Sequence, residues 1–285
     1  MKPIGIFLMI AIAVSFVACN NNQSSSNTPA SDSSNNTNTS PSLKQEDVSY
    51  TGDNTTLKGY VVYDENKKGN RPAVLVVHEW WGMVDYPKMR ARKLAELGYF
   101  AMAVDLYGNG KTVEDPKDAQ AISGPFYAPN TGPEMAKRRL EVFINNLKKY
   151  PEVDTTKIAA IGYCFGGGMV LNVARLGEDL DAVVSFHGSL VGTPANKNLL
   201  KSKILVCHGA DDKFVLPAEV QQFKKQMDSI GADYEFKQYP NATHAFTNPE
   251  ATAKGEKYNM PIAYNAAADS ASWNDMKNFF RRVFQ

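Results

Sequence analysis

The 285-residue sequence is short of cysteine, of net charge and of long apolar runs, and each shortage excludes something. Three cysteines, Cys19, Cys164 and Cys207, allow one disulfide at most. Thirty-one basic side chains against 30 acidic ones leave a net charge of +1, which offers no electrostatic footprint for nucleic acid or for an anionic lipid surface. Four histidines are present, none in a helical or short-spaced ligand pair, so a metal centre at His78, Glu79 and a further histidine lacks its usual framework. Neither metal nor cofactor is expected. The one extended apolar run, Ile4 to Val17, falls short of the ~20 residues of a membrane-spanning helix. Asn20 to Ser42 has Asp32 as its single charge and no aromatic residue, so it cannot bury enough surface to offset chain entropy.

What is present begins with a leader pattern. Met1-Lys2 is a short positive segment, Ile4 to Val17 the apolar stretch, and Phe16-Val17-Ala18-Cys19 closes it. The closing tetrad resembles a bacterial lipoprotein processing site, although Phe16 stands where leucine is commoner. That resemblance implies cleavage before Cys19 and lipidation of its sulfur and new amino group; an ordinary secretory signal is the alternative, and both export the protein. Losing residues 1–18 removes Lys2 and no acid, so 31 and 30 become 30 and 30. The expected organisation is a signal segment at 1–18, a flexible tether at 19–42 reaching on the order of 25 Å, and one large domain at 43–285. The expected place is the periplasm or cell envelope, with the membrane touched through the lipid alone and the protein a monomer.

In the domain, apolar runs without polar alternation mark strands buried on both faces: Ala73 to Val77, Phe100 to Val104, Ile158 to Ile161, Ala182 to Phe186 and Ile204 to Val206. A last strand is expected at Tyr234 to Tyr239, and an antiparallel hairpin over Val48 to Tyr63 turning at Gly52-Asp53-Asn54. Helical spacing follows Gly167, Pro133 and Pro217, and Met276, Phe279, Phe280 and Val283 mark a final amphipathic helix. Alternating strand and helix at this period predicts an α/β fold with a mostly parallel sheet covered on both faces. Functional groups then collect at the strands' carboxyl ends.

The third of those ends carries Gly162-Tyr163-Cys164-Phe165-Gly166, a nucleophile flanked by glycines between strand and helix. This is the pattern of a nucleophile elbow, and it predicts an α/β-hydrolase fold with sulfur where serine is usual. Glycine is needed where strand and helix approach too closely for a Cβ, and the helix N-terminus favours a thiolate. The chain order nucleophile, acid, histidine selects His244 as base over His78, His187 and His208, which are expected to pack or hydrogen-bond. Spacing alone leaves the acid open between Asp211 and Asp212. Backbone N–H groups of Phe165 and Trp80 are the expected oxyanion donors. Cys207 is expected in the core, because its strand should not neighbour that of Cys164 and strand ends ~9–10 Å apart exceed disulfide reach.

His78-Glu79-Trp80-Trp81-Gly82, Gly162-Tyr163-Cys164-Phe165-Gly166-Gly167 and His244-Ala245-Phe246, in that order, resemble the dienelactone hydrolases from about Thr56 to Phe284. In that family a glycine, two variable residues and the catalytic aspartate precede a Phe-Val-Pro-like run, so Gly209-Ala210-Asp211-Asp212-Lys213-Phe214-Val215 implies Asp212, with Leu216 inserted before Pro217. The resemblance implies hydrolysis of small lactones or esters through Cys164, Asp212 and His244, and a role for Glu79 in holding the thiol until substrate displaces it. It also implies an arginine shortly after the histidine, whereas His244-Ala245-Phe246-Thr247-Asn248-Pro249 offers only Asn248. Dienelactone itself is therefore not the expected substrate. Trp81, Tyr107, Phe126, Tyr127 and Phe246 are expected to line an apolar substrate pocket. A broad carboxylesterase or thioesterase, or a tethered binding protein that kept the fold, are the other readings.

Overall fold

The computed structural model describes residues 40–285. The expected leader, Cys19 and the tether up to residue 39 lie outside the described residues. Ser42 is already bonded into the domain, its N–H donating to Asp64 Oδ1 at 3.0 Å, so the boundary falls before the expected Leu43.

An edge hairpin opens the fold, β1 at Leu43–Gly52 and β2 at Thr55–Asp64. Asp53 and Asn54 turn it at φ 48° and 56°, a left-handed geometry that short polar side chains tolerate. Then come β3 (Arg71–Val77), α1 (Asp85–Glu96), β4 (Phe100–Val104), α2 (Pro116–Ser123) and α3 (Thr131–Leu147). The nucleophile-bearing unit is β5 (Val153–Tyr163) and α4 (Phe165–Arg175). The remainder is β6 (Ala182–Phe186), β7 (Lys203–Gly209), α5 (Pro217–Ile230), β8 (Tyr234–Tyr239), α6 (Ala251–Tyr258) and α7 (Ala266–Val283).

The eight strands form one sheet in the order β1-β2-β4-β3-β5-β6-β7-β8. Only the β1/β2 and β2/β4 pairings are antiparallel. Alternate residues of each strand feed two cores. Ala73, Leu75 and Val77 of β3 pack with Leu140 and Phe143 of α3, Met169 of α4 and Phe223 of α5. Val74 and Val76 face the other way, onto Tyr86 and Leu94 of α1 and Met276 and Phe280 of α7. Fully burying a side chain such as Phe223 or Phe280 contributes roughly 1.5–3 kcal/mol, so both helical layers are held mainly by apolar area.

Two features differ from expectation. β5 begins at Val153 rather than Ile158, because Val153 pairs with Arg71 ahead of a register shift and the polar Asp154 to Lys157 run past the covered part of the sheet. Helices α1, α2 and α6 were not anticipated. The buried stripe of α1 includes a charged residue, Arg90, which conceals its apolar period; α2 and α6 are eight-residue helices with too few apolar positions to announce themselves.

Strand order reverses at β3, with β4 on one side and β5 on the other. A crevice opens there at the carboxyl ends of the strands, the place where open α/β sheets bind ligands. The loop after β3 and the turn after β5 are its two walls.

Candidate active site

The turn after β5 is built by close approach. A Cβ on Gly162 would lie 2.2 Å from the Gly166 backbone, and one on Gly166 would lie 2.5 Å from the Val77 carbonyl oxygen of β3. Gly166 N–H donates to the His78 carbonyl at 3.1 Å, stitching α4 to the loop after β3. Cys164 is left at φ 52°, ψ −113°, a strained geometry for any residue but glycine. Its N–H is shared between the Phe186 carbonyl (3.0 Å) and His187 Nδ1 (3.1 Å).

Because His187 Nδ1 accepts from a backbone N–H, the ring is neutral with its proton on Nε2, which reaches Thr247 Oγ1 at 2.7 Å. Tyr86 Oη bonds the same hydroxyl at 2.6 Å, and buried Arg90 donates to Tyr86 Oη (3.2 Å), to the Thr247 carbonyl (2.5 Å) and to Asp269 (2.6 Å). Burial first, with the His244 and Arg90 charges adding, holds His187 well below the usual histidine range. A polar network thus fixes the elbow from below.

Above it, His244 spans two partners: Nε2 lies 3.1 Å from Cys164 Sγ and Nδ1 2.9 Å from Asp212 Oδ2. Asp212 Oδ1 accepts from the N–H groups of Phe214 (2.7 Å) and Val215 (3.2 Å), so the carboxylate is held on both oxygens. Burial raises the Asp212 pKa, but the His244 ring and these two N–H groups outweigh it and leave the group below the usual carboxylate value. For His244, burial disfavours the imidazolium, yet the Cys164 sulfur and the Asp212 carboxylate prevail and raise it to about 10. Asp211 makes a backbone contact to Ala242 and its carboxylate is not drawn into this chain of bonds.

Phe165 heads α4 and Trp80 follows β3; among the described residues neither backbone N–H has a hydrogen-bond partner. His78 braces the Trp80 loop, its Nδ1 donating to the Glu79 carbonyl (2.5 Å) while Nε2 accepts from Leu106 N–H (3.2 Å). Glu79 is buried and does not hold the sulfur as the resemblance implied. Its Oε2 accepts from Asn248 Nδ2 at 2.6 Å, and burial raises its pKa more than Asn248, Lys254, His244 and Arg90 lower it.

The crevice is a cavity of about 640 Å³, lined by Cys164, His244, Glu79, Trp80, Trp81 and Tyr127 among others. Three residues expected there are elsewhere. Tyr107 lies behind the wall, its hydroxyl donating to the Trp80 carbonyl and its ring on His78 and Phe165; Phe126 is buried against Tyr107 and Phe165; Phe246 packs under His187 and Tyr239. Aromatic rings near a strand end serve the core as readily as a pocket, and burial decides. Missed were Phe214, whose ring lies 4.9 Å from that of His244, and Ser189, Val215, Met260 and Ile262. Phe214 had no signal beyond its place after Asp212. Asn248 was visible as a missing cation but not as the partner of Glu79. Among the described residues no lysine or arginine lines the cavity; Lys254 lies over the Trp81 ring and pairs with Glu250. Cys164 and Cys207 are both free, separated by β6, and Cys207 is a fully buried thiol that burial pushes up to about 12.

A strand-order switch at β3, a glycine-framed elbow after β5 and a histidine returning after β8 define an α/β hydrolase. The dienelactone hydrolase family model matches residues 57–284, and the chain belongs to that family. It is therefore an enzyme of the carboxylic ester hydrolase class. An uncharacterized protein of Caenorhabditis elegans is 36% identical over 152 residues, 52% of this chain and 94% of that protein. A Saccharolobus solfataricus protein named "Putative carboxymethylenebutenolidase" is 27% identical over 269 residues, 84% of this chain and 99% of that one. The crystal structure of a dienelactone hydrolase-like promiscuous phosphotriesterase, P91 from metagenomic libraries, superposes with a TM-score of 0.77 at 35% identity, covering 85% of this chain and 98% of that one.

Proposed function

We propose that the protein hydrolyses small, uncharged carboxylic esters or lactones through Cys164, His244 and Asp212. The observation that carries this reading is the single imidazole bridging Cys164 Sγ and the Asp212 carboxylate at a strained elbow. The Cys164 thiol proton passes to His244 Nε2 and the Sγ thiolate attacks the carbonyl carbon; the π electrons move to oxygen, and the N–H groups of Phe165 and Trp80 receive the oxyanion. The helix N-terminus of α4 favours the same negative charge. Collapse expels the alkoxide, which takes its proton from His244, and an acyl-thiol remains. Water, deprotonated by His244, then releases the acid and restores the thiol. Asp212 keeps the imidazole proton on Nδ1 throughout. Glu79, held by Asn248 beside the cavity, orients substrate in this reading rather than gripping the sulfur.

An apolar cavity without a lysine or arginine supports neutral substrates over carboxylated ones. Replacing Cys164 with alanine is expected to abolish ester turnover while far-ultraviolet circular dichroism stays unchanged. Activity near that of the wild type in this variant would overturn the assignment. Profiling lactones, aryl esters and thioesters separates the lactonase from the broader esterase reading. The leader pattern supports export and anchoring through lipidated Cys19, with the domain in the periplasm or cell envelope.

A further inference from the structure

Beside the catalytic cavity lies a second one of about 450 Å³, and Tyr127 and Ser189 line both. Its walls come from the segment before α3 and the first turn of α3, from α4, and from the loop after β6. Pro129, Pro133 and Pro194 in these walls restrict the backbone φ there. Val191 stands at its rim, 53% exposed.

Of the polar residues in the lining, Asn130, Glu134, Asn172, Ser189 and Thr193, only Asn172 is buried. Asn172 sits inside α4 and is 98% buried, leaving 2% of its surface exposed. Its Oδ1 accepts from Thr193 N–H at 2.8 Å, which fixes the carboxamide plane. Its Nδ2 donates to no group among the described residues, and Asn172 is one of the residues that line this cavity. Gly192 makes the room, since a Cβ there would come within 2.0 Å of Asn172 Oδ1. Arg175, one turn on along the same helix, anchors the loop by donating to the Leu190 carbonyl at 3.0 Å. A donor with a fixed plane and no protein partner among the described residues is available to an acceptor that enters the cavity.

We propose that this cavity is a distal subsite for the substrate, taking an apolar arm that carries a second carbonyl, whose oxygen accepts from Asn172 Nδ2. The substrate class is then a two-armed molecule such as a diester: one carbonyl is cut at Cys164 while the other is held past Tyr127. This rests on the ester-hydrolase reading of the catalytic cavity and adds the class of ester. Helix α4 serves both ends, its N-terminus at the reacting carbonyl and Asn172 at the distant one.

The test compares p-nitrophenyl methyl diesters of linear dicarboxylic acids with p-nitrophenyl alkanoates of equal length. At one length the diester is expected to exceed the alkanoate in kcat/KM by about tenfold, the usual worth of one hydrogen bond to a buried donor. Asn172→Asp keeps the acceptor for Thr193 and removes the donor, and Val191→Trp fills the mouth; each is expected to bring that ratio to about one. No length at which the diester leads, or a lead that survives both variants, overturns the subsite. Failure to cleave any ester would instead sink the catalytic reading. In that event calorimetry of the Cys164→Ala protein with dimethyl diesters still decides the subsite: binding weakened about tenfold by Asn172→Asp supports it, and no binding, or binding unchanged by that substitution, overturns it.

Discussion

Asn248 stands shortly after His244, where the resemblance to dienelactone hydrolases implies an arginine that holds a substrate carboxylate. An amide there can hydrogen-bond Glu79 but cannot neutralise it, so the cavity wall carries a buried acid and no cation of its own. Asn248→Arg is expected to raise kcat/KM for a carboxylated aryl ester, relative to its neutral analogue, by about tenfold through one charge-assisted pair. An unchanged ratio would show that substrate charge is read elsewhere. The same neighbourhood sets the pH profile. The His244 pKa is raised, so its imidazolium, held by Cys164 and Asp212, persists below about pH 10 and is lost as pH rises through that value. Ester hydrolysis followed as kcat/KM should therefore fall on the alkaline side near pH 10, since a neutral His244 cannot protonate the leaving alkoxide. A decline already complete at pH 8 would place the acid group elsewhere.

Among the elements, β3, β5 and α4 do most to make the site, and they do it by proximity. Glycines at 162 and 166 let helix and strand come together so that Cys164 is pushed into a positive φ and the Phe165 N–H is left facing the cavity. Gly166→Ala would place a methyl 2.5 Å from the Val77 carbonyl and 2.6 Å from that of His78, both backbone atoms with nowhere to move. The expected cost is about 1–3 kcal/mol in urea unfolding, with a larger proportional loss of activity as the oxyanion donors part. An alanine variant as stable and active as the wild type would show that this contact is slack. The elbow was legible because its glycines are a local demand. The role of His187 was not, because its partners Cys164, Thr247, Tyr86 and Arg90 come from four separate segments joined only by folding.

At the scale of the whole molecule, the leader and tether are read from sequence and the catalytic domain from both sequence and structure. Labelling with radioactive palmitate in a bacterial host is expected to mark the wild-type protein and not Cys19→Ser, and equal labelling of both would remove the lipid anchor. Apolar runs and glycine spacing, both properties of neighbouring residues, determined the strand series, the edge hairpin, the α/β class and the cysteine's place on its turn. Chain order added His244. Which rings face a cavity and which are packed behind it was beyond that reach, as Tyr107, Phe126 and Phe246 show. So was the pairing of Glu79 with Asn248 across 169 positions. These are outcomes of side-chain packing between distant segments, where burial and a few ångströms of separation choose among chemically equivalent residues, and only the folded arrangement supplies those distances.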